Sequence, residues 1–247
     1  TGPKGRHPHK GPRPDHIRDP NYDPKTIDLP GLQLLGGRQE KFLQDWSQQK
    51  EGVTMKAVLS QTGFCGGAHL HGNVKNRLHA DLDSNGWPQS GRNRALELIK
   101  QAGAVHIGGD QHLATVIHHG IKEHGDGPYA YIAPAIVNTI YGRWWWPEDE
   151  KAGANPVPDS PLPWTGEYLD GFGNKIRMMA YANPAVVEGR IGNNKSKPGG
   201  PNLADGWGLV KFKKSTGEVT FEAWPRWCDV TQPGAEQFPG WPIMVKP

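Results

Sequence analysis

Glycine and proline supply 33 and 23 of the 247 residues, about twice the usual share. Proline has no backbone N–H and a fixed φ, so long helices and central strands must fit into the few proline-free windows. Seven prolines, at positions 3, 8, 12, 14, 20, 24 and 30, fall in the first 36 residues. Residues 1–36 therefore read as a Pro-rich arm with neither a long helix nor a central strand. The arm is also basic: Lys4, Arg6, Lys10, Arg13 and Arg18 outnumber Asp15 and Asp19, with His7, His9 and His16 among them. This local excess accounts for the formal net charge of +3. It reads as a solvated arm that can attract phosphate or another anion. Mean hydropathy is −0.68, and no apolar run approaches the ~18 residues of a membrane span. No zinc-finger, RRM or helix-turn-helix signature supports specific nucleic-acid recognition. Cys65 and Cys228 are too few for a disulfide framework. No signal peptide is visible, and the chain opens at Thr1 in loop-like sequence, so it reads as a processed product or part of a longer polypeptide.

The proline-free windows begin after the arm. Gln39, Phe42, Leu43 and Trp46 recur at helical spacing and predict an amphipathic helix over 38–49, ended by Gly52. Residues 55–60 form a short apolar run suited to a buried strand. Residues 62–90, rich in Gly, Asn, Asp and His, read as a long functional loop. A second helix is predicted over 92–102 with Gly103 as its stop. Strands follow at 104–107 and 113–118, and a strand or short helix at 129–137. Residues 143–170, with Trp144-Trp145-Trp146 and many Gly and Pro, form an irregular excursion. Near the end, Val210 and Phe212 alternate with lysines, and Val219, Phe221 and Ala223 with Thr220 and Glu222. That pattern predicts a β-hairpin with one buried face. Strands alternating with helices make residues 37–247 a layered α/β body.

The strongest chemical signal is Gly109-Asp110-Gln111-His112 directly after a buried strand. Paired glycines allow a sharp turn, and sites in α/β sheets sit beyond strand C-termini. A carboxylate and an imidazole two residues apart suit Zn, Fe or Mn; they equally suit an ordinary capped turn. His69, His71 and His79 lie in the long loop with Asp81 and Asp83, placed to bind substrate phosphate or to face solvent. Arg92 and Arg94 could grip a phosphate bidentately or serve as helix-end charge. Three consecutive tryptophans cannot share one core, and exposed Trp marks sugar or partner binding.

In order along the chain, several of these residues resemble PhoD-like phosphatases, the alkaline phosphatase D family. Leu35-Gly36-Gly37-Arg38-Gln39-Glu40-Lys41-Phe42-Leu43 is similar to its Leu-Gly-x-x-Gln-x-x-(Trp/Phe)-Leu helix start. A strand ending in Ser60-Gln61, the Gly86-Trp87-Pro88 stretch running to Arg92 and Arg94, and Gly109-Asp110-Gln111-His112 follow, the last similar to Ser-Gly-Asp-x-His. The resemblance covers about residues 30–120. It implies a branch of the calcineurin-like metallophosphoesterases: a two-sheet α/β sandwich with helices outside, exported to the periplasm or beyond the cell, cleaving phosphate mono- and diesters. Iron with calcium is implied, with zinc or manganese as alternatives. Asp110 and His112 match the metal site; His112 ligates metal or protonates the leaving group, and Arg92, Arg94, His69 or His71 meets the phosphoryl charge. The stretch from Asp83 departs from the family's Asp-x-Trp-x-Gly-Tyr form. The family's Gly-Asp-x-x-Tyr and Asp-Asp-His-Glu motifs are missing. The resemblance therefore implies a C-terminal part of the catalytic domain, inactive alone, whose partner is the missing N-terminal half or another chain. The alternative is a non-catalytic structural or binding subunit, for phosphate or glycan, derived from the same fold.

Overall fold

The computed structural model describes residues 15–71, 77–136, 143–147, 149–184, 186–187, 190–191 and 204–247. The basic cluster from Lys4 to Arg13 and the side chain of His71 lie outside the described residues. In chain order the elements are β1 (His16–Ile17), a 3-10 turn (Pro24–Thr26), α1 (Gly37–Gln48), β2 (Lys56–Thr62), β3 (Leu70–His71), β4 (Ala80–Asp81) and α2 (Gln89–Gln101). Next come β5 (Ala104–Gly109), β6 (Thr115–His119), β7 (Tyr129–Ile132), β8 (Arg143–Trp144), β9 (Gly166–Leu169) and β10 (Lys175–Tyr181). The last are β11 (Val186–Val187), β12 (Arg190–Ile191), β13 (Gly206–Lys213), β14 (Glu218–Pro225) and β15 (Ile243–Val245).

A six-stranded sheet in the order β2-β5-β7-β6-β10-β9 forms the centre. β2, β5 and β7 run parallel, and the remaining neighbours pair antiparallel. One face carries α1 and α2: Ala95, Leu96 and Ile99 of α2 pack with Phe64, Ala104, Val58 and Trp46. The other face carries a second sheet, β13-β14-β15. There Val105, Val116 and Tyr131 meet Val219, Phe221, Ala223 and Val245. The architecture is thus the expected mixed α/β sandwich with helices outside. Tyr131 spans both sheets, stacked on Phe221 at 5.3 Å and donating its hydroxyl to the Glu222 carbonyl at 2.8 Å.

The C-terminal hairpin has the alternation its sequence predicts, with Val219, Phe221 and Ala223 buried. Phe212 departs from it and is 39% exposed, because β13 is an edge strand whose far end overhangs the core. Residues 104–107 are interior, flanked by β2 and β7, whereas β2 forms the sheet edge and leaves Leu59 76% exposed. The long 62–90 loop and the 143–170 excursion contain the short strands β3, β4, β8 and β9.

The second helix begins at Gln89, earlier than Arg92, for a reason distant in sequence. Asp28 accepts from the Ser90 N–H at 2.9 Å and from its hydroxyl at 2.6 Å, supplying acceptors for a helix start whose N-cap is Pro88. Gly103 closes the helix at φ +62° as expected. The described part of the arm is therefore packed: Ile17 is fully buried and joins Tyr22, Ile27 and Leu32 against Trp87 and Phe172. Replacing Asp28 with Ala should cost about 1 kcal/mol, seen as a lower urea midpoint at unchanged slope. An unaltered midpoint would show that Asp28 caps nothing in solution.

Candidate functional site

β2 and β5 run parallel and end at Thr62 and Gly109. A crevice of about 20 Å³ opens beyond these ends, lined by Thr62, Gly67, Asp81, Asp83, Asp110, Gln111 and Arg143 among others. That volume holds one water-sized occupant, so the crevice suits an ion rather than an organic group.

Each wall has a local cause. Beyond Gly109 the chain turns sharply: Asp110 has φ +67° and His112 φ +53°. Non-glycine residues in this left-handed region each store about 1 kcal/mol or more, and such strain clusters at functional sites. Gln111 is buried, its amide donating to the Cys65 carbonyl at 2.7 Å. Its Oε1 is buried without a hydrogen-bond partner, and a Cβ at Gly67 would stand only 2.9 Å from it. Glycine at 67 keeps space around an orphaned acceptor.

The arm reaches the crevice residue Asp81 without lining the crevice itself. β1 pairs antiparallel with β4, setting His16 opposite Asp81. Backbone bonds from His79 N to Ile17 O (2.7 Å) and from Leu82 N to Asp15 O (2.9 Å) extend the pairing. His16 Nε2 is 3.7 Å from a carboxylate oxygen of Asp15 and 3.7 Å from one of Asp81. One donor atom from each of the three residues fits within a 4.8 Å group that could hold a metal ion. Arg143, in β8 opposite His71 of β3, reaches Asp81 Oδ2 at 3.2 Å. Asp81 is thus shared by two groups: Asp15 and His16 on the arm side, and Asp83, Asp110 and Arg143 in the crevice. Carboxylate oxygens with an imidazole nitrogen form a donor set that fits Fe, Mn or Zn.

Of the residues singled out by sequence, Asp110 lines this crevice, and His112 sits half-buried two residues on. Asp81 and Asp83 of the long loop line it too, whereas Arg92, Arg94 and His69 lie elsewhere. Arg92, expected to meet phosphoryl charge, is 1% exposed. Its guanidinium donates to the Phe64 carbonyl (3.0 Å), the Gly120 carbonyl (2.6 Å) and Asn93 (2.8 Å), and meets His119 at 3.2 Å. It ties α2 to the sheet and does not line the crevice. Arg94 points between the helices, 3.2 Å from Glu40. His69 faces a separate cavity. Asp15 and His16 were read as arm residues, and nothing local in the sequence joins them to Asp81. The only signal was composition, an Asp-His pair upstream and Asp81-x-Asp83 in the loop.

No protein-family model and no curated protein matches the chain. A solved structure described as "Structure of PhoD" is similar over 88% of this chain at 15% identity, with a TM-score of 0.45. The matched region spans 34% of that structure's chain. Among the described residues, no helix is long and apolar enough to cross a membrane.

Proposed function

We propose that this chain carries part of the active site of an exported, metal-dependent phosphoesterase. The observation that carries the reading is the convergence of Asp15 and His16 on Asp81, which itself lines the crevice beyond β2 and β5 together with strained Asp110. Asp15, His16 and Asp81 would hold the metal, with Asp110 as a nearby further carboxylate. Iron with calcium is the expected content by resemblance, zinc or manganese the alternative. A bound cation supplies Lewis acidity and offsets phosphoryl charge. Arg143 places a fixed positive charge at the crevice, suited to orienting a phosphoryl oxygen. Gln111 Oε1 offers an acceptor that can orient a nucleophilic water. His112, beside Asp110, is the candidate proton donor to the leaving oxygen. The motifs missing from this chain would come from a further polypeptide in the working assembly.

Metal analysis and an aryl-phosphate assay on that assembly test the reading together. Asp81→Asn should lower metal content and cut turnover about a hundredfold, the equivalent of roughly 2.7 kcal/mol. Full activity in Asp81→Asn would remove the crevice from the chemistry. The pairing of Asp81 with Arg143 supports a second reading, a non-catalytic subunit in which an ion pair has replaced a cation. An assembly free of metal and without turnover would establish that alternative.

A further inference from the structure

The six-stranded sheet ends in β9 on one side and β2 on the other. β9 is covered: the Glu167 N–H donates to the Ala154 carbonyl at 2.8 Å, so residues 153–154 close its outer side. β2 is seven residues long, and among the described residues no strand pairs with its outer side. Alternate N–H and C=O groups of an edge strand point away from its neighbour and offer a template for another strand. Proline and charge are the usual protections. β2 has no proline, and its one charged residue, Lys56, turns to the end of α1. There it donates to the Trp46 carbonyl at 2.7 Å and stands over the Trp46 ring at 4.9 Å. The register against β5 is regular from Lys56 to Leu59 and shifts only beyond it.

Both faces of this edge are apolar. On the helix side, a groove of about 870 Å³ runs between β2 and α1, with Leu34, Phe42, Leu43, Trp46, Phe64 and Ile99 in its lining. Phe42 is 66% exposed there. On the other side, Ala57 packs toward the second sheet. Leu59 shares its face by the two-residue period and is left exposed.

A β-strand meets both features at once. Its backbone pairs with the edge, and its alternate side chains enter the groove and cover Leu59. Such a strand is apolar on both faces, as strands of parallel sheets are. A second copy of β2 does not match. Paired antiparallel across a two-fold axis, it would offer the groove Lys56, Val58, Ser60 and Thr62, one apolar side chain among four.

We infer that the β2 edge and its groove dock an extended strand of a partner polypeptide, apolar on both faces and parallel to β2. β2, β5 and β7 already run parallel. A further parallel strand would end beside Thr62, which lines the acidic crevice, so the loop after it could deliver side chains there. The inference deepens the phosphoesterase reading and rests on it only for the source of the strand, the further polypeptide of the working assembly.

Fluorescence anisotropy of the full chain with a labelled, end-blocked peptide, Lys-Val-Ile-Val-Ile-Val-Lys, tests it. Saturable binding is expected. Leu59→Lys and Phe42→Asp, both at exposed positions, should each weaken it at least about tenfold. The same peptide N-methylated at alternate residues keeps its side chains and loses backbone donors. It should bind the wild-type protein at least about tenfold more weakly. A nitroxide at the peptide's C-terminus should broaden the amide signals of Gln61 and Gly63 and spare that of Lys56. Absence of saturable binding, equal binding of the N-methylated peptide, or indifference to both substitutions overturns the inference. Broadening at Lys56 overturns the parallel direction. A concentration-dependent dimer abolished by Leu59→Lys would give the edge to a second copy instead. Asp81→Asn should leave peptide binding unchanged while lowering the metal content of the assembly, so the docking surface and the metal site fail separately.

Discussion

Lowering the pH from 7 to 4.5 is expected to unfold this protein cooperatively. His106 and His119 are both fully buried. Burial pushes His106 down to about 3. His119 is held well below its ordinary value by burial first and by the Arg92 charge second. Ser60 sets the His106 tautomer: its hydroxyl donates to the Thr62 carbonyl at 2.6 Å and receives His106 Nε2–H, also at 2.6 Å. His106 Nδ1 is buried with no hydrogen-bond partner, so a second proton there finds no acceptor, and the lone pair of His119 Nδ1 is taken by the Arg92 guanidinium at 3.2 Å. The folded pKa values lie below the unfolded value, so the unfolded chain binds more protons once the pH falls under 6.5. Stability is complete above that pH and declines through the window down to about 4. Each histidine costs about 1.4 kcal/mol per pH unit there. Over two units His106 alone removes roughly 3 kcal/mol, and His119 and His69, both lowered by burial, add to it in the same direction, a sum comparable to the whole stability of many domains. Urea unfolding across pH 7.5 to 4.5 measures this, and His106→Gln should flatten the slope by about a third, since His69 and His119 lose stability in the same window. A urea midpoint constant from pH 7.5 to 5 would show that these histidines are not buried neutral in solution.

Gly208→Ala is expected to undo the docking of the second sheet. A Cβ there would stand 1.7 Å from the Tyr131 hydroxyl. Neither group has room to yield: Gly208 is paired to Ala223 in the β13–β14 ladder, and Tyr131 is 1% exposed between the sheets. Accommodation requires Tyr131 to abandon its bond to Glu222 O and its stacking on Phe221. Overpacking costs about 1–3 kcal/mol, and a broken buried hydrogen bond adds about 1–3 kcal/mol. We expect a loss of about 3 kcal/mol or more by chemical denaturation. Tyr131→Phe in the same background should recover part of it, because removing the hydroxyl takes away the worst contact. Simple additivity of the two changes would show that they do not meet.

The contrast between Arg92 and His16 shows where sequence reasoning reaches its limit. Arg92 is an arginine near a glycine-rich loop, a pattern compatible with phosphate binding. Its role as a core tie is set by the carbonyls of Phe64 and Gly120, each 28 positions away. His16 lies in a proline-rich, charged segment that reads as solvated. It is buried because a two-residue strand pairs with Ala80–Asp81. The strand β10, by contrast, carries a local signal: Ile176, Met178 and Ala180 are buried in alternation with Lys175, Arg177 and Met179.

What the amino-acid order determined by itself was everything with a short repeat or a local stereochemical demand. The two amphipathic helices, the apolar strand at 104–107, the glycine stop at 103 and the C-terminal hairpin all follow from periodicities of 3.6 and 2 and from left-handed glycine. The position of Asp110 beyond a strand end was determined in the same way. Only the tertiary structure decided that Asp15 and His16 join Asp81, that Asp28 caps a helix 62 residues away, and that Trp145 is buried while its neighbours are half-exposed. The physical reason is one of range. Backbone propensity acts over a few residues, whereas a binding site needs groups brought together across a chain whose loops cost little more entropy to close when they are long.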